Sequence, residues 1–136
     1  MERYRIVYDV PTVSAYVHLR QKTGLSEKSI EAAERGLKHS LFAVSIYDSE
    51  TLIGMGRVIG DEGCFYQIVD IAVDPAYQGK GLGKQIMKEI MHYLDTHAPK
   101  GAYVSLIADP PADRLYKQFG FAYTYPTSYG MYKRYE

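Results

Sequence analysis

The sequence predicts an α+β domain built around a mixed, mainly antiparallel sheet flanked by helices. Three observations carry that prediction. Alternating apolar segments at hairpin spacing fill residues 41–73. A single apolar stripe, Leu82, Ile86, Ile90 and Leu94, recurs every four residues after them and demands a helix. Two further helical stretches stand between the first alternating segment and the rest, so strands and helices do not alternate regularly as they would in a parallel α/β fold.

Taken in order, residues 4–8 alternate and read as a first strand, ended by Pro11. Thr12 caps a helix running to about Lys22, which Gly24 closes. Ser26 is the expected cap of a second helix whose inner stripe is Ile30, Ala33 and Leu37. Residues 41–47 form a strand with Phe42, Val44 and Ile46 on one face, and Asp48-Ser49-Glu50 turn it back into a strand over 51–59. The turn at 60–63 leads to a longer strand over 65–73, stopped by Asp74-Pro75. The helix carrying the Leu82–Leu94 stripe ends near Thr96, before Pro99. A strand at 102–107, a short helix at 112–118 and a final strand pair at 121–125 and 130–135 complete the chain. No repeat or linker interrupts this order, and 136 residues suit one domain, 1–136.

Composition narrows the function. Lys plus Arg and Asp plus Glu each total 16, so the basic excess of a generic nucleic-acid binder is missing. The lone cysteine, Cys64, excludes an intrachain disulfide framework and a cysteine-based zinc site. His18, His39, His92 and His97 lack metal-ligand spacing with an acidic partner, so no metal is expected. The first residues lack the apolar stretch of a signal peptide, and no run nears the roughly 20 apolar residues that span a bilayer. The expectation is a soluble cytoplasmic protein with no membrane and no nucleic-acid partner. Tyrosine is abundant, with 14 copies against 4 Phe and no Trp.

The chemistry concentrates in the segment between the fourth strand and the long helix. Gly79, Gly81 and Gly83 fall at every second position of Gln78-Gly79-Lys80-Gly81-Leu82-Gly83-Lys84. Such a loop turns sharply and brings backbone N–H groups close to a ligand. The helix that follows turns its positive dipole end to the same spot, which makes a site for a phosphate or pyrophosphate. A Walker A loop would need Gly at 78 and Ser or Thr at 85, where the chain has Gln78 and Gln85. A dinucleotide fingerprint would need glycine where Lys84 stands. Both tests fail, which disfavours a nucleotide-phosphate binder.

The segment Gln78-Gly79-Lys80-Gly81-Leu82-Gly83 resembles the Gln/Arg-x-x-Gly-x-Gly/Ala signature of the GNAT acetyltransferase superfamily. Ile71-Ala72-Val73-Asp74-Pro75 resembles the family's preceding strand and turn. The stretch from Asp109 through Ala112, Leu115-Tyr116 and Gly120-Phe121 resembles its Asn-x-x-Ala-x-x-Leu-Tyr…Gly-Phe pattern, with Asp109 in the Asn slot as a departure. The likeness covers essentially the whole chain. It implies a GNAT-like acyl-CoA N-acyltransferase fold that binds acetyl-CoA and acetylates an amine. By that resemblance, the backbone of Gln78, Gly79, Lys80, Gly81, Leu82, Gly83 and Lys84 would hold the CoA pyrophosphate. Ile71, Ala72 and Val73 would pair with the pantetheine amides, in a gap where the fourth and fifth strands splay apart. Asp109 and Ala112 would complete the donor site. Lys80 and Lys84 would add charge there, or stand solvated.

Tyr116 matches the family's usual general acid, facing the CoA sulfur. A thiolate with a pKa near 8.5 and a tyrosine near 10 leave full proton transfer uphill by roughly 2 kcal/mol, so a hydrogen bond to the departing thiolate is the firmer role. The acceptor amine must lose a proton before attack, at roughly 4–5 kcal/mol at neutral pH for a pKa near 10.4. Asp70 is the best acidic candidate for that base, because it interrupts an apolar run on the strand beside the cofactor; its structural alternative is a carboxylate paired with Arg57 across the hairpin. A water chain is the other route for the proton. Arg20 and Arg57 are candidates for recognising a substrate carboxylate, or are surface charges. Gly54 and Gly56 either admit a substrate or mark a bulge. Tyr123, Tyr125, Tyr129 and Tyr132 line an acceptor groove or a homodimer face. The rival to an enzyme is a non-catalytic acyl-CoA-binding or interaction module on the same scaffold.

Overall fold

The computed structural model describes residues 4–136. Five strands and four helices follow one another: β1 (Arg5–Val7), α1 (Val13–Lys22), α2 (Ile30–Leu37), β2 (Phe42–Asp48), β3 (Thr51–Gly60), β4 (Phe65–Val73), α3 (Leu82–His97), β5 (Tyr103–Leu106) and α4 (Asp113–Lys117). A short 3₁₀ turn, Pro75–Tyr77, lies between β4 and α3. The chain divides into two compact units, one ending at Leu106 and the other spanning Ile107–Glu136.

In the first unit the strands lie in the order β1-β2-β3-β4-β5. The first three pairings are antiparallel and the last, β4 with β5, is parallel. One face of the sheet packs on α1 and α2. Tyr16 and Leu19 of α1, Ala33 and Leu37 of α2, Leu52 and Met55 of β3 and Ala72 of β4 share one buried cluster. The opposite face receives α3, whose Leu82, Ile86, Ile90 and Leu94 are all buried, as the four-residue stripe requires. This packing explains Gly54 and Gly56. A Cβ on Gly56 would stand 2.7 Å from Ile71 and Ile86 and 3.1 Å from Ile90, so the glycine lets α3 sit close.

Apart from the start of α2, the elements through β5 match the sequence expectation within a residue or two. Thr12 caps α1 by accepting from the Ala15 N–H at 3.2 Å. The cap of α2 is Ser29, which accepts from the Ala32 N–H at 3.0 Å, rather than Ser26. Ser26 is engaged elsewhere, by Arg20. The later start also leaves Ile30 exposed, off the inner stripe that Ala33 and Leu37 form. In the turn after β3, one Asp61 oxygen accepts from the N–H groups of Gly63, Cys64 and Phe65 and so sets the start of β4. Cys64 is exposed there.

The second unit departs from expectation. Residues 121–125 and 130–135 form no strands. The tyrosine-rich alternation has the right composition for a hairpin, but strand propensity without a ladder partner does not fix a strand. Pro126 removes a donor at the turn, and a bond from the Ser128 N–H to the Thr124 carbonyl at 3.0 Å closes a local turn instead. Among the described residues no helix is long and apolar enough to cross a membrane.

Candidate functional site

The loop after β4 is held from both sides. Asp74 accepts from the Ala76 N–H at 2.9 Å and from Lys22 of α1 at 2.6 Å. Tyr77 donates to Asp48 at 2.6 Å, and the Gln78 side chain donates to the Val73 carbonyl at 3.1 Å. These contacts fix the frame of the loop and leave its glycines open. Gly79 and Gly81 both adopt φ of 80°, with no atom within 4 Å of where a Cβ would stand. Gly81 is also the N-cap of α3, and no side chain caps that end. The first N–H groups of α3 therefore have no side-chain acceptor, and no acidic residue occupies the first turn. This arrangement suits a multiply charged phosphate group.

The strand leading into that loop is open on its outer side. The β4–β5 ladder pairs Phe65–Ile68 with Tyr103–Leu106 and stops at Ile68. From Val69 to Val73, β4 keeps only its β3 neighbour among the described residues. Backbone groups on that edge require partners from elsewhere.

Where the β5 pairing ends, β4 also bulges. Arg57 stands opposite Val69, but Met55 stands opposite Ala72, so Asp70 and Ile71 together face Gly56. Asp70 takes φ of 63°, and its side chain turns to the face covered by α1 and α2 while Ile71 turns toward α3. The Asp70 carboxylate is almost sealed from solvent. One oxygen pairs with Arg20, and the other accepts from Arg57 Nε at 2.7 Å and from the Tyr16 hydroxyl at 2.8 Å. Both guanidiniums stand 5.8 Å from the Tyr16 ring centre. Burial, reinforced by the Asp70 charge, pushes the Tyr16 pKa up, so its hydroxyl stays protonated and donates.

In the second unit, Tyr116 lies on α4 and is buried. Burial first, and then the charge of Asp109, push its pKa up. Asp109 lies in the loop before α4, where its carbonyl accepts from the Ala112 N–H at 2.9 Å.

The acetyltransferase (GNAT) family matches residues 10–121. The chain belongs to the GNAT acetyltransferase family. A crystal structure of a protein from meticillin-resistant Staphylococcus aureus, described as a probable acetyltransferase, is 53% identical, with a TM-score of 0.94 over 97% of this chain and 99% of that one. A GNAT family protein from Streptococcus pneumoniae is 26% identical, with a TM-score of 0.76 over 98% and 99% of the two chains. The ycf52-like uncharacterized N-acetyltransferase of Prochlorococcus marinus is 34% identical over 107 residues, which are 76% of this chain and 58% of that protein. The chain thus spans about six-tenths of the length of that curated relative.

Within this GNAT chain, the structure gathers Ile71, Ala72, Val73 and the residues from Gln78 to Lys84 on one open strand edge and the helix start that follows it. Asp70, expected as the base, sits in an ion-paired cluster. The pairing with Arg57, its structural alternative, is what the structure contains, and Arg20 and Tyr16 add to it. Three donors fill three of the roughly four acceptor positions of this carboxylate, an arrangement that suits a structural role. Sequence reasoning placed neither Arg20 nor Tyr16 beside Asp70. The missing signal was the bulge, because strict alternation from Phe65 sends Asp70 to the other face.

Proposed function

We propose that this GNAT chain is an acetyl-CoA-dependent N-acetyltransferase, which passes the acetyl group to a primary amine of a small molecule or peptide by direct attack. The observation that carries this reading is the glycine-opened, uncapped start of α3, which follows directly on the unpaired edge of β4. Backbone N–H groups from Gln78 to Lys84 hold the pyrophosphate. Ile71, Ala72 and Val73 offer their free edge to the pantetheine amides. Asp109 and Ala112 add contacts to the donor. The family match runs through Leu106, across residues of both units, which supports one GNAT domain over 1–136.

Acetyl-CoA supplies the activated acyl group. The amine attacks its thioester carbonyl and the CoA thiolate leaves. Tyr116 hydrogen-bonds that thiolate. Its raised pKa makes full proton transfer harder still, so stabilisation by a held proton is its contribution. With Asp70 engaged, the amine proton leaves through water. The exposed tyrosines of the second unit support a homodimer, and a cytoplasmic setting fits a single unpaired cysteine.

The test is CoA release with a panel of amines, run beside thermal unfolding with acetyl-CoA. A rise in Tm together with CoA release from at least one amine is expected. A rise in Tm with no release from any amine would leave an acyl-CoA-binding module.

A further inference from the structure

The cluster at the β4 bulge holds two guanidiniums against one carboxylate. Its other members, Tyr16, Ser26, Ser40 and the carbonyls of Ser26 and Gly36, are neutral. The C-terminal end of α2 contributes at most about half a negative charge through Gly36. A positive surplus remains where unpaired charge is costly.

The two arginines are unequally committed. Arg20 uses all three nitrogens: Nη1 on Asp70, Nε on the Ser26 carbonyl at 3.0 Å, and Nη2 on that carbonyl at 2.6 Å and the Ser26 hydroxyl at 3.0 Å. Arg57 uses Nε on Asp70 and Nη1 on the Gly36 carbonyl at 3.3 Å and the Ser40 hydroxyl at 3.0 Å. Its Nη2 has no hydrogen-bond partner among the described residues, and it is not sealed from solvent. The surplus charge therefore has a single outlet.

Gly36 borders that outlet. A Cβ added there would stand 3.8 Å from Arg57 Nη2 and meet nothing else outside its own helix within 4 Å. Packing does not require glycine at this position, and glycine inside a helix weakens it. The missing side chain leaves no group of residue 36 against Nη2.

We propose that Arg57 Nη2 anchors an oxyanion, a carboxylate or a phosphate, carried by the amine acceptor. The proposal rests on the acetyl-transfer reading and narrows its substrate class to amines that bear an anionic group. Asp70, Gly36 and Ser40 hold the guanidinium before the acceptor arrives, so little ordering remains on binding. Arginine suits the role because it stays charged and presents a planar edge of donors to an oxyanion.

The test measures CoA release with matched acceptors: propylamine against β-alanine, and ethanolamine against O-phosphoethanolamine. The wild type is expected to favour at least one anionic member by about 10- to 100-fold in kcat/KM, the range for a charge-assisted hydrogen bond. The favoured pair tells carboxylate from phosphate. Arg57→Gln should erase the preference. Gly36→Glu keeps Arg57 and its bonds and lays a tethered carboxylate beside Nη2; it should erase the preference too, with the KM for acetyl-CoA unchanged. A readout independent of transfer is the Tm shift by acetate and by inorganic phosphate, expected to be larger in the wild type than in Gly36→Glu. Transfer without an anionic preference, or a preference that survives Gly36→Glu, overturns the proposal. An anion shift lost in Gly36→Glu, with no CoA release from any acceptor, upholds the oxyanion anchor and removes the acetyl-transfer reading. If neither a shift difference nor CoA release is seen, both the anchor and the acetyl-transfer reading fall.

Discussion

Asp70 gathers three donors from two different elements onto one carboxylate, and that makes its replacement informative. Asp70→Asn keeps the size of the side chain but leaves Arg20 and Arg57 without a counter-charge. Breaking a buried pair of this kind costs about 3–5 kcal/mol, to be read from denaturant unfolding. The pH profile of kcat/KM tells position from proton transfer. A lower rate with an unchanged profile is expected; loss of the acidic limb would restore Asp70 as the base. Tyr116→Phe removes only a hydroxyl. We expect kcat to fall roughly 10–1000-fold with acetyl-CoA affinity nearly constant. Wild-type turnover in a folded Tyr116→Phe protein would take Tyr116 out of the reaction. Both residues stood out in the sequence, Asp70 as a carboxylate inside an apolar run and Tyr116 by its motif. Of the partners of Asp70, Arg57 was legible across the hairpin, but Arg20 and Tyr16 were not, because they lie 50 and 54 residues away and meet it only through the bulge.

At the scale of elements, periodicity carried most of the fold. The α3 stripe and the β4 boundaries follow directly from apolar spacing, since both elements bury a continuous face. The start of α2 did not, because Ser26 and Ser29 offer equivalent caps and only the tertiary bond from Arg20 takes Ser26 away. The final hairpin failed for the opposite reason: its side chains favour strands, but nothing local supplies a ladder. The loop before α3 yields a prediction at this scale. Gly81 combines a positive φ with empty surroundings, so Gly81→Glu strains the loop and puts a negative charge at the helix start. The Tm rise caused by acetyl-CoA should vanish in a correctly folded Gly81→Glu protein. An undiminished rise would remove the loop from the donor site.

For the whole molecule, the Lys22–Asp74 bond ties α1 to the loop that follows β4. The hydrogen bond from Lys22 holds the Asp74 carboxyl below its ordinary range, against the opposing effect of burial. A carboxyl with a depressed folded pKa adds stability that is fully present above the unfolded value, near 3.9, and is lost as pH falls through the lower folded value. The Tm should therefore drop on acidification below about pH 4, and less steeply in Asp74→Asn; equal slopes would dismiss the linkage. Assembly is a separate matter. Tyr125, Tyr129, Met131, Tyr132 and Tyr135 are all exposed in the second unit, large side chains available to a second copy. Light scattering at tens of micromolar is expected to give twice the 15.4 kDa chain mass. A monomer mass would count against the homodimer.

The strand order has a consequence for how the chain comes into being on the ribosome. Neighbours in the sheet are neighbours in sequence, and β2, β3 and β4 are joined by short turns, so these hairpins can close as soon as they emerge. The parallel partner β5 arrives only after residues 74–102 have been made, a few seconds later at about 5–20 residues per second. During that interval the whole outer edge of β4 is bare and open to pairing with another nascent chain. When β5 docks it covers Phe65–Ile68 alone. Among the described residues, the stretch from Val69 to Val73 still has no second neighbour after that, and it is this late-left edge that we propose for acetyl-CoA.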